Sequence, residues 1–209
     1  MKLKKVAALA TMVVALFAAA ACGNSAPASD SGKSTAPVSE KAPAKAKKVL
    51  VVYYSDTGRT EQVAKAVASV TKGDLLKLVP EQPYTAADLD YNNKSSRVTK
   101  EHDTAKLQDE VKLTNGKPAN WAEYDTVFVG YPIWWGIAAW PVNQFFTGND
   151  FTGKTVIPFA TAYSSGLGKS ADLVKEKAGG KGTWVQGKCF TGSIDDKAVT
   201  DWVGSLGVQ

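Results

Sequence analysis

The chain has one histidine and two cysteines in 209 residues, and these shortages exclude several chemistries at the outset. Clustered Cys and His ligands for zinc are missing. A disulfide scaffold needs a dense cysteine framework, which Cys22 and Cys189 alone do not make. Cys189 lies in a strand-like run, and the only imidazole, His102, lies in a polar stretch with no second orienting group evident for a Cys–His pair. A nucleophilic Cys–His arrangement is therefore unsupported, and Cys189 is expected to be a buried structural residue. Compositional extremes are absent too: 44% hydrophobic, 22% charged, 18 Gly and 9 Pro are ordinary globular values. So is a charge excess in the folded part. The formal net charge is +5, but residues 1–48 carry eight Lys against Asp30 and Glu40, while residues 49–209 carry 17 Lys and Arg against 18 Asp and Glu. The second segment has no long-range field to steer it onto nucleic acid, and no nucleic-acid partner is expected.

The basic N-terminal segment has its own logic. Three Lys fall in residues 1–5, residues 6–21 carry no charge, and Cys22 follows Ala19, Ala20 and Ala21. A basic stretch, an apolar stretch and a small-residue site in that order make a secretory signal, assigned to residues 1–21. The alternative is a membrane anchor, but sixteen helical residues span roughly 24 Å against a hydrocarbon layer of roughly 30 Å. Cys22 directly after the small residues resembles a bacterial lipobox, which implies a lipidated mature N-terminus. Ala19 stands where such motifs more often have Leu, and a soluble secreted product is the other outcome. Residues 23–48 are rich in Ala, Ser, Pro and Lys without apolar periodicity. They are expected to form a disordered tether with a reach of about 25 to 30 Å. Export, and a lipid anchor at the extracytoplasmic face of the cell membrane, follow as expectations.

From residue 48 onwards the chain alternates. Residues 49–54 (VLVVYY) form an unbroken apolar run that suits a central parallel strand. Residues 60–70 switch to a helical stripe, Val63, Ala64, Val67, Ala68 and Val70. Further strands are predicted at 75–79, 126–131, 155–160 and 184–190, with helices at 140–146, 169–177 and 197–206. Asp195 or Asp196 caps the last helix. The stretch 80–123 is too long for a plain loop, and 97–113 inside it is polar enough for an exposed helix. Five strands alternating with helices imply an α/β fold with a doubly wound parallel sheet, whose ligands bind at the carboxyl ends of the strands.

Three loops follow predicted strands and so share that edge. The first is Ser55, Asp56, Thr57, Gly58, Arg59, Thr60 at a strand-to-helix junction. Its hydroxyls, its Gly and the free helix amides suit a phosphate, whereas a plain turn with Thr60 as N-cap is the ordinary alternative. The loop matches neither G-K-[ST] nor G-x-G-x-x-G, which argues against nucleoside triphosphate hydrolysis. The second is Tyr131, Pro132, Ile133, Trp134, Trp135, Gly136. Either indole could stack on a planar ring, or both could pack under the next helix. The third is Thr161, Ala162, Tyr163, Ser164, Ser165, Gly166, Leu167, Gly168. Its small residues admit a flat polar ligand with Tyr163 as a wall, or serve the turn alone.

Together these loops describe a site for a phosphorylated planar heterocycle. Over about residues 48–208 the sequence resembles the flavodoxin-like family, with strand order 2-1-3-4-5. The first loop is similar to the family's T/S-x-T-G-x-T, and Gly130 to Gly136 (GYPIWWG) matches the loop after the third strand in one subgroup. The resemblance implies non-covalent FMN, its phosphate held by Ser55, Thr57, Gly58, Arg59 and Thr60. It implies the isoalloxazine between Pro132, Ile133, Trp134, Trp135 and Gly136 on one side and Tyr163, Ser164, Ser165, Gly166 and Gly168 on the other. The third loop departs from the subgroup's T-S-G-G-S-G-I-G at Ala162 and Tyr163, which puts the amide contacts to the ring in question. At Arg59, a variable position, only the backbone amide is assigned.

A flavin carries its own redox chemistry, so no titrating catalytic residue is needed. The expected function is electron transfer at the outer membrane face, between redox partner proteins or to a small-molecule acceptor. The alternative is an NAD(P)H-dependent quinone or flavin reductase. It would call for a second phosphate loop or a basic pocket, where only Arg59 and Lys169 are candidates, and for a nucleotide scarce outside the cytoplasm. A cofactor-free binding module is the third class.

Overall fold

All five residues of β1 (Val49–Tyr53) are buried in the computed structural model, and their side chains divide strictly by the two-residue strand period. Leu50, Val52 and, just beyond, Tyr54 enter one core, while Val49, Val51 and Tyr53 enter another on the opposite face. Val51 and Val52 are wholly excluded from water, each contributing roughly 1.5–3 kcal/mol of burial. The described residues are 47–208; the export signal, Cys22 and nearly all of the tether fall outside them.

The chain runs β1, α1 (Arg59–Thr71), β2 (Asp74–Lys77), α2 (Arg97–Asp103), α3 (Ala105–Glu110), β3 (Thr126–Trp134), β4 (Ile137–Ala138), α4 (Asn143–Gly148), β5 (Thr155–Ala162), α5 (Ser170–Lys177), β6 (Thr183–Trp184), β7 (Lys188–Thr191) and α6 (Asp196–Ser205). The sheet order is β2-β1-β3-β5, with β6 and β7 both parallel to β5. Counting β6 and β7 as one interrupted strand gives the expected 2-1-3-4-5. α1 and α6 cover one face through Val63, Val67, Val199 and Val203. α4 and α5 cover the other through Phe145, Phe146 and Val174. Asp195, not Asp196, caps α6, accepting from the Lys197 amide at 2.9 Å.

Four local departures from expectation have physical causes. The last strand is split because Pro158 sits in the middle of β5. Val185 donates to the Val156 carbonyl, so the residue two further on, Pro158, also faces this neighbour but has no N–H to give. The pairing slips by one residue, from Val156↔Trp184 to Phe159↔Lys188. Gly187 fills the gap because a Cβ there would stand 2.2 Å from the Pro158 oxygen. Second, β3 runs past Pro132. Tyr54 donates to Gly130 where β1 ends, so two residues on, Pro132 breaks no ladder. Third, the expected helix 97–113 is two helices, broken at Thr104 in extended conformation, and Leu113 is drawn into a bridge with Pro80. Fourth, the helix expected at 140–146 opens with a 3-10 turn, Trp140–Val142, before α4.

Candidate functional site

β1, β3 and β5 are parallel neighbours, so their carboxyl ends fall on one edge of the sheet, and a cavity of about 460 Å³ lies there. The β1–α1 loop lines it with Ser55, Asp56, Thr57, Arg59 and Thr60. Gly58 is the N-cap of α1 at φ 84, and no side chain caps the helix. The first-turn amides of this 13-residue helix are left to an external acceptor. Ser55 Oγ is buried and has no hydrogen-bond partner, the only such side-chain atom among the described residues. An orphaned hydroxyl of this kind costs about 1–3 kcal/mol, and a cavity-lining phosphate would relieve it. Thr60 Oγ1 lies 2.8 Å from Thr161 Oγ1. One hydroxyl of that pair donates to the other, and the acceptor keeps its own proton for the cavity. Thr60 is therefore not the N-cap of a plain turn.

Arg59 projects its side chain across the sheet edge instead of into solvent. Its Nη2 donates to the Gly192 carbonyl at 2.5 Å, and its guanidinium stands 5.8 Å from the Tyr163 ring. Asp56 accepts from the Tyr54 hydroxyl. Burial, opposed by that hydrogen bond, raises the Asp56 carboxyl above its ordinary value.

The second wall is a β-hairpin. Trp134 pairs with Ile137 across β3 and β4, which leaves Trp135 and Gly136 as a two-residue turn at φ 45 and 82. Positive φ at both positions fits the right-handed twist of the flanking strands. Gly adopts it freely, whereas an indole-bearing residue does so at a cost of about 1–2 kcal/mol. Trp134 is half-buried and meets Tyr54, Tyr84 and Trp140 edge-on at 5.7, 5.6 and 4.8 Å. Trp135 is 43% exposed and stacks on His102 at 4.4 Å. Pro132 and Ile133 complete this wall.

The third loop contributes less than its length suggests. β5 extends to Ala162, so Thr161 and Ala162 line the cavity as strand residues, followed by Tyr163 at 91% exposure. Ser164, Ser165, Gly166 and Gly168 lie outside the lining, as does Gly136. A Cβ on Gly168 would stand 3.6 Å from the Gly136 carbonyl, so the two loops meet behind the wall. Cys189 is half-buried, its thiol donating to the Ser165 carbonyl at 3.5 Å and pushed up by burial, as befits a structural residue. Sequence reasoning missed Leu89 and Tyr91, which line the cavity from the β2–α2 connection; Tyr91 is 70% exposed. Among the described residues no group of three potential metal ligands occurs, and no helix is long and apolar enough to cross a membrane.

A family model described as flavodoxin matches residues 48–206. The chain belongs to the flavodoxin family. Solved relatives of this flavodoxin-family chain include a protein assigned as a flavoprotein from Bacteroides eggerthii DSM 20697. It is 40% identical, covers 78% of this chain and 99% of its own, and superposes with a TM-score of 0.69. A second, from Bacteroides uniformis ATCC 8492, is 38% identical over 77% of this chain and 99% of its own, with a TM-score of 0.69. A flavoprotein from Lactobacillus acidophilus NCFM, solved in complex with FMN, shares the fold at 24% identity and a TM-score of 0.55, covering 75% and 99% of the two chains. No curated protein matches the chain by sequence.

Proposed function

We propose that this flavodoxin-family protein binds FMN in the β1/β3/β5 edge cavity and carries electrons, exported and lipid-anchored through Cys22 at the extracytoplasmic membrane face. The observation that carries the flavin assignment is the orphaned Ser55 Oγ, beside the uncapped first turn of α1, in a cavity walled by Trp134, Trp135 and Tyr163. Ser55, Thr57, the Thr60–Thr161 hydroxyl pair and the amides after Gly58 would hold the phosphate. The indoles and Tyr163 would bound the ring and exclude water. FMN supplies reversible redox chemistry, and the chain supplies position and local polarity.

A carrier is favoured over an NAD(P)H-dependent reductase by the cations. Among the described residues Arg59 is the one cationic side chain lining the cavity, and it donates to the Gly192 carbonyl and stands over the Tyr163 ring. A reductase that also held the phosphates of a nicotinamide nucleotide would call for more cationic groups than this single guanidinium among the described lining residues. The partner is a redox protein or a small-molecule acceptor reached from the membrane surface.

The test uses the full chain, incubated with FMN, filtered, and then given NADPH without oxygen. Retained flavin bands that do not bleach support the carrier, whereas rapid bleaching establishes a reductase. Ser55→Ala supplies the site-specific control, because removing the orphan should stabilise the apo protein by about 1 kcal/mol while weakening FMN retention. Loss of FMN without that gain, or a gain without loss, breaks the assignment of Ser55 to the phosphate.

A further inference from the structure

Behind the hairpin wall lies a buried ionic network that the flavin site does not itself use. Glu101 on α2 is 6% exposed. Its Oε2 accepts from the Tyr84 hydroxyl at 2.6 Å and from the Trp140 indole N–H at 2.7 Å, and its Oε1 accepts from Arg97 Nε at 2.7 Å. Arg97 in turn lies 3.9 Å from the Tyr84 ring and donates to the Gln82 carbonyl at 2.7 Å. Each group that Glu101 engages is thus fixed at two points. Tyr84 and Trp140 are two of the three rings packed around Trp134, and Trp140 also lies against Trp135 at 5.9 Å. The next residue of α2, His102, stacks directly on Trp135. One turn of α2 therefore grips both cavity indoles, one side chain through Trp140 and its neighbour by contact.

Trp135 stands at positive φ, and such a conformation persists only where the surroundings over-determine it. A plain apolar filling under Trp134 would bury the ring without fixing its rotation, whereas the two directional bonds that Tyr84 and Trp140 donate to one carboxylate, itself held by Arg97, fix both rings in angle as well as place. We propose that Glu101 is a positioning residue for the flavin site: by holding Trp140 and Tyr84 it sets the orientation of Trp134 and Trp135, and through them the fit and the potential of the flavin. The inference rests on the flavin assignment above, although the orientation of the indoles can be read without flavin.

Glu101→Gln keeps the volume and one acceptor oxygen and removes the charge. Tyr84→Phe keeps every ring and removes a single donor, and it serves if the first variant does not fold. In the full-length protein, far-UV circular dichroism should be unchanged. The near-UV signal of the coupled indoles should fall in the apo protein, FMN affinity should drop about tenfold, equivalent to roughly 1.4 kcal/mol, and the midpoint potential should move. Tyr84→Phe should shift the same quantities less. A lowered melting temperature with unaltered near-UV signal, affinity and potential overturns the proposal and leaves Glu101 a stability element. Failure of the wild-type chain to retain FMN overturns the flavin assignment instead, and a near-UV change in the variants would then still show that Glu101 orients the indoles.

Discussion

The β1–α1 loop meets the cavity with backbone amides and one partnerless hydroxyl, and it places its positive φ on Gly58. The β3–β4 turn meets it with two indoles and places positive φ on Trp135 as well as Gly136. The first wall is thus made by one contiguous stretch of chain, tied to the rest of the edge through the Thr60–Thr161 and Arg59–Gly192 contacts. The second is made by side chains that reach it from α2, from the β2–α2 connection and from the 3-10 turn at Trp140–Val142, and these hold a strained residue in place. The first wall draws most of its polar groups from one stretch of chain, whereas the second depends on side chains delivered from three others.

The sharpest way to break this contrast is to treat the two adjacent indoles separately. Trp134→Ala should lose about 3 kcal/mol, the scale for a large packed ring. Trp135→Gly should lose close to nothing in stability, because relief of positive φ, about 1–2 kcal/mol, offsets the contacts surrendered. Both should weaken FMN retention. Urea midpoints that move equally for the two variants would show that the assignment of one ring to packing and the other to the cavity rim is wrong. Next in size, Gly58→Ala meets open space yet must adopt φ 84. It should cost about 1 kcal/mol and reduce FMN retention, opposite in sign to the strain relief at Trp135. The smallest effect concerns Asp56. Its carboxyl is raised above the ordinary 3.8, so the folded state takes up a proton before the unfolded state does. The ionised form therefore opposes folding at neutral pH, and that opposition fades as pH falls through the raised value to 3.8. Melting curves across that window should show wild type gaining on Asp56→Asn as the solution is acidified, and parallel curves would remove Asp56 from the account.

The same contrast explains what the sequence could disclose. β1, β3 and β5 were legible as unbroken apolar runs because both faces of each are covered, and the β1–α1 loop was legible as a candidate anion site because most of its polar groups lie within Ser55 to Thr60, with only Thr161 added from β5. Trp134 and Trp135 could be named but not told apart, since their difference lies in Tyr84, Glu101 and His102, which come from residues 80–123, where no apolar period stands out, and in Trp140 beyond the hairpin. Leu89 and Tyr91 were invisible for the same reason. Pro158 inside an apolar run was the available cue to the split last strand, but its meaning depends on Gly187 across the sheet. Within the third loop, motif spacing alone could not tell that β5 would extend to Ala162 and bring Thr161 and Ala162 to the cavity on a strand.

The contact between Arg59 and the Gly192 carbonyl joins residues 133 apart, just beyond the last strand, β7. Long separations of this kind make loop closure slow, since the entropy of joining distant segments is lost before the contact forms. As the chain emerges from the ribosome, Arg59 is made 133 residues before its partner Gly192. A nascent chain can thus pair β1 with β2 and β3 well before it can form this contact across the sheet edge.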